Sequence, residues 1–252
     1  MKKLEFFKNR YTVRHYQPRE IDIDTVKSML EAATHAPNTG NMQWYSVVIT
    51  RDPAAKARLA PAHFDQPSVS GASAVLTFCL DLRRFEHWCR LNRAEPGFDN
   101  FQSFIAAMID TTIFAQQFCT IAEMSGYGTC YLGTTTYNAP DIVEALSLPD
   151  RVVPVTTVTL GYPLMPGKPM WRIDADALIH EEKYRDLTDD EIRRYYSPIE
   201  KEEASVAFVE HNGKETLAQV FTDVRYPRES AEYFSKVYAE LLKRNRFILK
   251  NS

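Results

Sequence analysis

Residues Phe101 to Thr134 read FQSFIAAMIDTTIFAQQFCTIAEMSGYGTCYLGT. Apolar side chains recur at Phe104, Met108, Ile109, Ala115, Phe118, Cys119 and Ala122, while Ile105, Ala107 and Ile113 fill the other side. That spacing predicts a helix with apolar groups nearly all round, and therefore a buried one. Asp110, Thr111, Thr112, Gln116 and Gln117 make it too polar to cross a bilayer. Gly126 and Gly128 end the helix, a short strand-like run from Thr129 to Leu132 follows, and Gly133 closes the stretch. A buried helix feeding a strand and a glycine can hold something flat and large against a backbone.

Outward from this stretch, helices and strands mix. Residues 2 to 9 form an amphipathic helix with Leu4, Phe6 and Phe7 inward, and an extended segment, RYTVRHY, follows. Asp24 reads as the N-cap of a helix through Ala36, with Val26, Met29, Leu30 and Ala33 on one face. Strands are expected at Trp44–Thr50, Val75–Leu80 and Val152–Leu160. Asp52-Pro53 opens a helix to Leu59, and Asn138 starts a short one to Leu146. Residues 63 to 71 read as loop, 83 to 100 as a mobile loop or lid, 162 to 185 as irregular, and 229 to 249 as a helix. The class is α+β or α/β, with helices on both faces of one sheet.

Composition bounds the function. The 252 residues are 44% hydrophobic and 25% charged, with net charge -3 and no long run of one sign, which gives nucleic acid little to hold. Cys79, Cys89, Cys119 and Cys130 lack CxxC spacing; three lie in apolar runs and read as buried thiols, not metal ligands. The N-terminus MKKLEFFKNR has no signal-peptide core, so a cytoplasmic protein without a membrane span is expected.

Four clusters can carry chemistry. Arg10, Thr12 and Arg14 share a side if the segment is extended, which makes a phosphate clamp or simply a solvated basic face. Asn38, Thr39, Asn41 and Gln43 lie between a helix end and a buried strand. Their hydroxyl and amides either read the edge of a heterocycle or only shape a turn. Tyr131-Leu132-Gly133 permits close backbone approach by a ligand, or is a tight turn. Lys168 and Arg172 are a second basic pair. The glycines do not make GxGxxG, and no P-loop, HExxH or GxSxG occurs. The six histidines are scattered and read as structural or surface residues.

Taken in order, R-x-[ST]-x-R, A-P-x-[ST]-x-N-x-Q, G-x-G before Tyr-Leu-Gly, and L-G-[YW]-P with K-P and Arg beyond resemble the FMN-dependent nitroreductase family. Within it the chain is most similar to the longer subgroup of oxygen-insensitive NADPH nitroreductases and NADPH-flavin reductases. The match covers Leu4 to Tyr184, including HEEKY at 180 to 184. Such a resemblance implies an α+β sandwich, one mixed and mainly antiparallel sheet flanked by helices around a long buried central helix. It implies one domain over 1–252, with the excursion at 83–100 and a C-terminal extension at 186–252. It further implies a homodimer with FMN at each end of the interface, and NADPH or NADH as co-substrate. Arg10, Tyr11, Thr12 and Arg14 then match the phosphate and ribityl grip. Asn38, Thr39, Asn41, Gln43 and Gln66 lie near the cofactor, Tyr131, Leu132 and Gly133 meet the ring, and Lys168 and Arg172 complete the phosphate contacts. No side chain is expected to do covalent work, and no metal is expected. Tyr11 stands where the family often has a basic residue, Gln43 is not followed by the common proline, and three residues separate Lys168 from Arg172. The expected activity is hydride transfer from NAD(P)H through FMN to nitroaromatic, quinone or flavin acceptors, by a ping-pong mechanism. Another acceptor, by enone reduction or dehalogenation, and a non-catalytic flavin binder remain alternatives.

Overall fold

A computed structural model describes residues 2–248. The chain forms two compact units. The larger comprises Tyr11–Gly167 and the residues from Phe234 onward; the smaller comprises the residues up to Arg10 together with Lys168–Tyr233.

The larger unit is built on a four-stranded sheet: β1 Tyr45–Thr50, β2 Ala74–Asp81, β3 Gly128–Leu132 and β4 Val152–Gly161. The order is β1-β2-β4-β3, and every neighbouring pair is antiparallel, so the sheet is not mixed. All of β2 is buried, which accounts for its unbroken apolar run. β4 carries Pro154 inside a strand. Proline is tolerated there because the β2–β4 register slips at Phe78/Cys79, and β3 pairs only with residues from Thr157 onward.

The helix Phe101–Met124 crosses the sheet and packs against β2, β4 and the helix Ile23–Ala33. Asn100 caps its start, its Oδ1 accepting the Ser103 N–H at 3.0 Å, and Gly126 beyond its end takes φ 85°. Phe114, Phe118 and Ala122 meet Leu76, Phe78, Val158 and Leu160 in one core. On the other face of the sheet, Val75, Cys130 and Leu132 pack with Leu59, Val69 and Ile142. Helices thus cover both faces, as expected. The central helix is less completely buried than its sequence predicts. Ile109 is 49% exposed and Ile113 37%, because the sheet covers only one side of a helix. Length and composition alone would let this helix cross a membrane, against the sequence expectation; its sheet-facing side forms the core of the larger unit. All four cysteines are buried free thiols.

Several local expectations change. The cap of the second helix is Asp22, whose carboxylate accepts the Asp24 and Thr25 N–H groups, and not Asp24. Residues 83 to 100 are not irregular throughout: Arg83–Leu91 is a helix that buries Glu86 and Cys89, a pattern hidden by its charged majority. Within 63 to 71, Pro67–Gly71 is helical, with proline in its first turn. The last long helix is Arg228–Arg244, and of its expected span Leu249 lies outside the described residues.

In the smaller unit, Lys2–Lys8 is helical as expected, but Leu4, Phe6 and Phe7 are exposed and not inward. Helices Asp189–Glu200 and Glu203–His211 follow the irregular stretch, the first closed by a capping box between Thr188 and Glu191. A short helix at Leu217–Gln219 continues into a wider turn at Val220–Arg225. Ile192, Tyr196, Val206, Phe221 and Val224 remain exposed.

Candidate functional site

The segment after Arg10 is extended and lies along the free edge of the sheet. Val13 N–H donates to Thr129 O at 3.0 Å, Gln17 N–H to Tyr162 O at 2.9 Å, and Leu164 N–H to His15 O at 3.0 Å. Two glycines let it approach. A Cβ at Gly128 would lie 2.6 Å from the Val13 side chain, and one at Gly161 would meet the Tyr16 ring. Tyr16 is buried, its hydroxyl bonded to Val13 O and Thr159, and burial pushes its phenol well above the usual range. In an extended segment Tyr11 and Val13 alternate with Thr12 and Arg14. Tyr11 and Val13 pack into the core, which leaves Arg14 exposed and Thr12 half-buried.

Asn38 to Gln43 form a strained loop. Gly40, Asn41 and Gln43 take φ of 55°, 55° and 53°. A non-glycine residue there costs on the order of 1 kcal/mol, so the surroundings must hold it. They do so at three points. The buried Asp110 carboxylate accepts the Thr39 N–H at 3.0 Å and its hydroxyl at 2.9 Å. Asn38 Oδ1 accepts the Gln43 N–H at 3.2 Å, and Arg84 Nη2 donates to Gln43 O at 2.6 Å. The Gln43 amide itself reaches only Asn41, at 3.3 Å or more, and keeps donor and acceptor capacity for a ligand.

Gly133 ends β3 on an exposed turn where a Cβ would meet nothing within 4 Å. The turn is tied to the loop bearing Gln66. His63 Nδ1 hydrogen-bonds Thr134 Oγ1 at 2.9 Å, and Asn138 Nδ2 donates to Ala62 O at 3.0 Å. His63 is fully buried, and burial lowers its pKa to about 4, so the ring is neutral. Leu132 is buried in the core and Tyr131 half-buried, so this stretch offers backbone more than side chain. Gln66 precedes the Pro67–Gly71 helix, half-buried.

Within the smaller unit, Lys168 and Arg172 are exposed, and Arg172 Nη1 donates to Trp171 O at 2.8 Å. Arg10 is half-buried, its N–H donating to Phe7 O at 3.3 Å. Arg172 also lines an apolar cavity of about 630 Å³ with Trp171, Ile192, Tyr196 and Phe221.

The larger unit therefore gathers Thr12 and Arg14 beside the start of β3, Gln66 and Gly133 at linked loops, and the Asn38–Gln43 loop over the central helix. Sequence reasoning missed Asp110 and Arg84, while His63, read as a structural or surface residue, takes the structural role. An aspartate amid isoleucine, alanine and methionine was the one available signal.

A model of the nitroreductase family matches residues 7–162. The chain belongs to the nitroreductase family. Solved structures of similar chains include one from Bacteroides fragilis described as a candidate oxidoreductase. It is 48% identical, with a TM-score of 0.95 over 97% of this chain and 99% of that one. The oxygen-insensitive NADPH nitroreductase of Salmonella typhimurium is 26% identical over 195 residues, 76% of this chain and 78% of that protein. An FMN reductase (NADPH) of Bacillus subtilis is 26% identical over 189 residues, 74% of this chain and 76% of its own. This nitroreductase-family chain thus shares most of its length with each of them.

Proposed function

We propose that the protein is an NAD(P)H-dependent flavin oxidoreductase that binds FMN and reduces nitroaromatic, quinone or flavin acceptors. The observation that carries this reading is the layout of β3. Thr12 and Arg14 lie beside its first residues, and the bare Gly133 turn lies at its last. Four residue steps separate these ends by about 13 Å, which suits a phosphate grip at one end and a flat ring at the other.

Donor chemistry fits the cofactor. Arg14 offers a planar fork and Thr12 a hydroxyl to a phosphate or ribityl chain. Within the smaller unit, Arg10, Lys168 and Arg172 are further cations of a kind that suits a phosphate. Gln43, held in its strained backbone by Asn38 and Arg84, presents an amide to a heteroaromatic edge. Asp110 positions Thr39 and so keeps the loop in the shape the ligand needs. The peptide at Gly133 can lie close to a ring because no side chain intervenes. Bound FMN supplies the two-electron chemistry, and the chain supplies binding, orientation and electrostatics. Nicotinamide and acceptor stack in turn at one open ring face, which gives ping-pong kinetics.

A second copy of the chain is the proposed cover for Phe101, Ile109 and Ile113 on the central helix and for the exposed apolar side chains of the smaller unit. The assembly is an obligate homodimer with an interface above roughly 2,000 Å². A cytoplasmic location goes with this reading.

The test is anaerobic mixing of the yellow, FMN-loaded protein with NADPH and NADH in parallel, followed by a panel of acceptors. Bleaching by either nicotinamide and recovery of colour with an acceptor are expected. A colourless protein that takes up no FMN on reconstitution overturns the reading, and FMN that neither nicotinamide reduces makes the protein a flavin binder.

A further inference from the structure

We propose that the cavity between the helix Arg83–Leu91 and the turn from Leu146 to Val152 is a second binding site, for a small anion with an apolar body, of the aryl phosphate or aryl carboxylate class. The cavity measures about 610 Å³, within the size range of small-molecule sites. Arg83, His87 and Arg90 recur at i, i+4 and i+7, so one helix face sets two guanidinium cations and an imidazole along its wall. The chain as a whole carries a net charge of -3, so this concentration runs against its average.

The cations are not all spoken for. Arg90 Nη2 donates to Glu86 Oε2 at 3.2 Å, and Arg84 is held by the carbonyls of Gln43 and Tyr45 at 2.6 and 3.2 Å. Arg83 and His87 have no ion pair among the described residues, and both are exposed to the cavity. Asp81 also lines it, but its carboxylate is nearly buried and already accepts the Ser46 hydroxyl and the Arg84 N–H. Glu86 is buried and shared between Arg90 and Arg151, so it offsets Arg90 and leaves Arg83 as the wall's unpaired guanidinium among the described residues. Apolar side chains of Val48, Leu148 and Pro149, beside Ser46 and Ser147, line the rest. A basic face that is merely solvated has no need of a concave apolar lining. An unpaired guanidinium and an imidazole beside apolar lining suit a ligand whose charge meets the arginine fork and whose ring leaves water.

The probes are phenyl phosphate and inorganic phosphate, titrated calorimetrically into the full-length protein saturated with FMN. Saturation keeps the probes from the flavin's own phosphate grip. Saturable binding of phenyl phosphate about tenfold tighter than phosphate is expected. The double substitution Arg83→Gln/His87→Gln should weaken phenyl phosphate by about tenfold, with FMN content and reduction by nicotinamide unchanged. Equal affinities for the two probes, no saturable binding, or undiminished binding in a folded double variant would each overturn the site. A chain that holds no FMN overturns the flavin reading instead, and the same comparison of variant with unaltered chain still decides this site.

Discussion

Arg151 and Glu86 form a buried ion pair in the larger unit: Arg151 Nε donates to Glu86 Oε1 at 2.9 Å, and the two side chains are 4% and 5% exposed. The same guanidinium donates to the carbonyls of Phe98 and Asn245 and lies 4.2 Å from the centre of the Phe247 ring. One residue thereby joins the helix Arg83–Leu91, the loop before the central helix and the C-terminal segment. Removing Arg151 leaves the buried Glu86 carboxylate with only the exposed Arg90, and takes the donor from the Phe98 and Asn245 carbonyls. Arg151→Ala should therefore lower stability by about 3 to 5 kcal/mol, while Arg151→Met with Glu86→Leu recovers much of it. Chemical denaturation of the two variants beside the unaltered chain checks this, and an Arg151→Ala variant as stable as the unaltered chain would refute it.

His63 predicts a stability that depends on pH. Its folded pKa, about 4, lies below the ordinary 6.5, so below pH 6.5 the unfolded chain binds a proton that the folded chain refuses. Stability from this residue is complete above pH 6.5 and declines as pH falls toward 4. Between pH 7 and 5 the loss should be about 2 kcal/mol, and His63→Gln should remove most of that difference. Urea midpoints at the two pH values measure it; identical slopes in both proteins would sink the assignment.

Gly128→Ala places a methyl group 2.6 Å from Val13. Overpacking of this kind costs about 1 to 3 kcal/mol. Adding Val13→Gly, which removes the Cβ and both methyl groups it meets, should relieve part of the cost, and a double-mutant cycle of thermal midpoints reads this as favourable coupling. Additive effects would mean that the N-terminal segment is not seated on β3.

Arg14→Ala should weaken FMN binding by about 1.5 to 3 kcal/mol, and Arg14→Lys should recover only part because it lacks the fork. Quenching of flavin fluorescence on titration gives both affinities. Unchanged affinity in the alanine variant would put Arg14 on a solvated face.

Asp110→Ala leaves the Thr39 N–H and hydroxyl without their acceptor. The Asn38–Gln43 loop should relax out of its left-handed backbone, with about 1 to 3 kcal/mol lost from folding and FMN held less tightly. Hydrogen exchange at Thr39 and Gln43 should speed up; unaltered protection there would count against this role for Asp110.

The fold was legible wherever period and burial coincide. Val75–Leu80 and Val152–Leu160 announced themselves as strands because both faces are buried, and Asp52-Pro53 marked its helix because the cap and the proline are local. The helix Arg83–Leu91 was not legible. Only Glu86 and Cys89 are buried there, and the ion pair that makes a buried glutamate tolerable comes from Arg151, 65 positions away. The candidate site shows the same divide. Arg14, Gln43 and Gly133 could be picked out by residue type. The groups that hold such residues in place, Asp110 for Thr39 and His63 for Thr134, act across 71 positions and leave no local pattern.

The seating of residues 11 to 17 also sets an order of events during synthesis. Tyr16 closes on Thr159, which is 143 positions later in the chain. A ribosome must therefore finish the last strand before residues 11 to 17 can seat in full, because β3, which receives Val13, is itself paired with β4. Until then Arg14 sits on an unattached tail and β3 has an open edge, which is the interval in which an emerging chain is most prone to pair with a neighbour. Acquisition of the cofactor grip is thus a late event that reports completion of the sheet, and a chain cut short before β4 retains its basic motif without the surface that gives it shape.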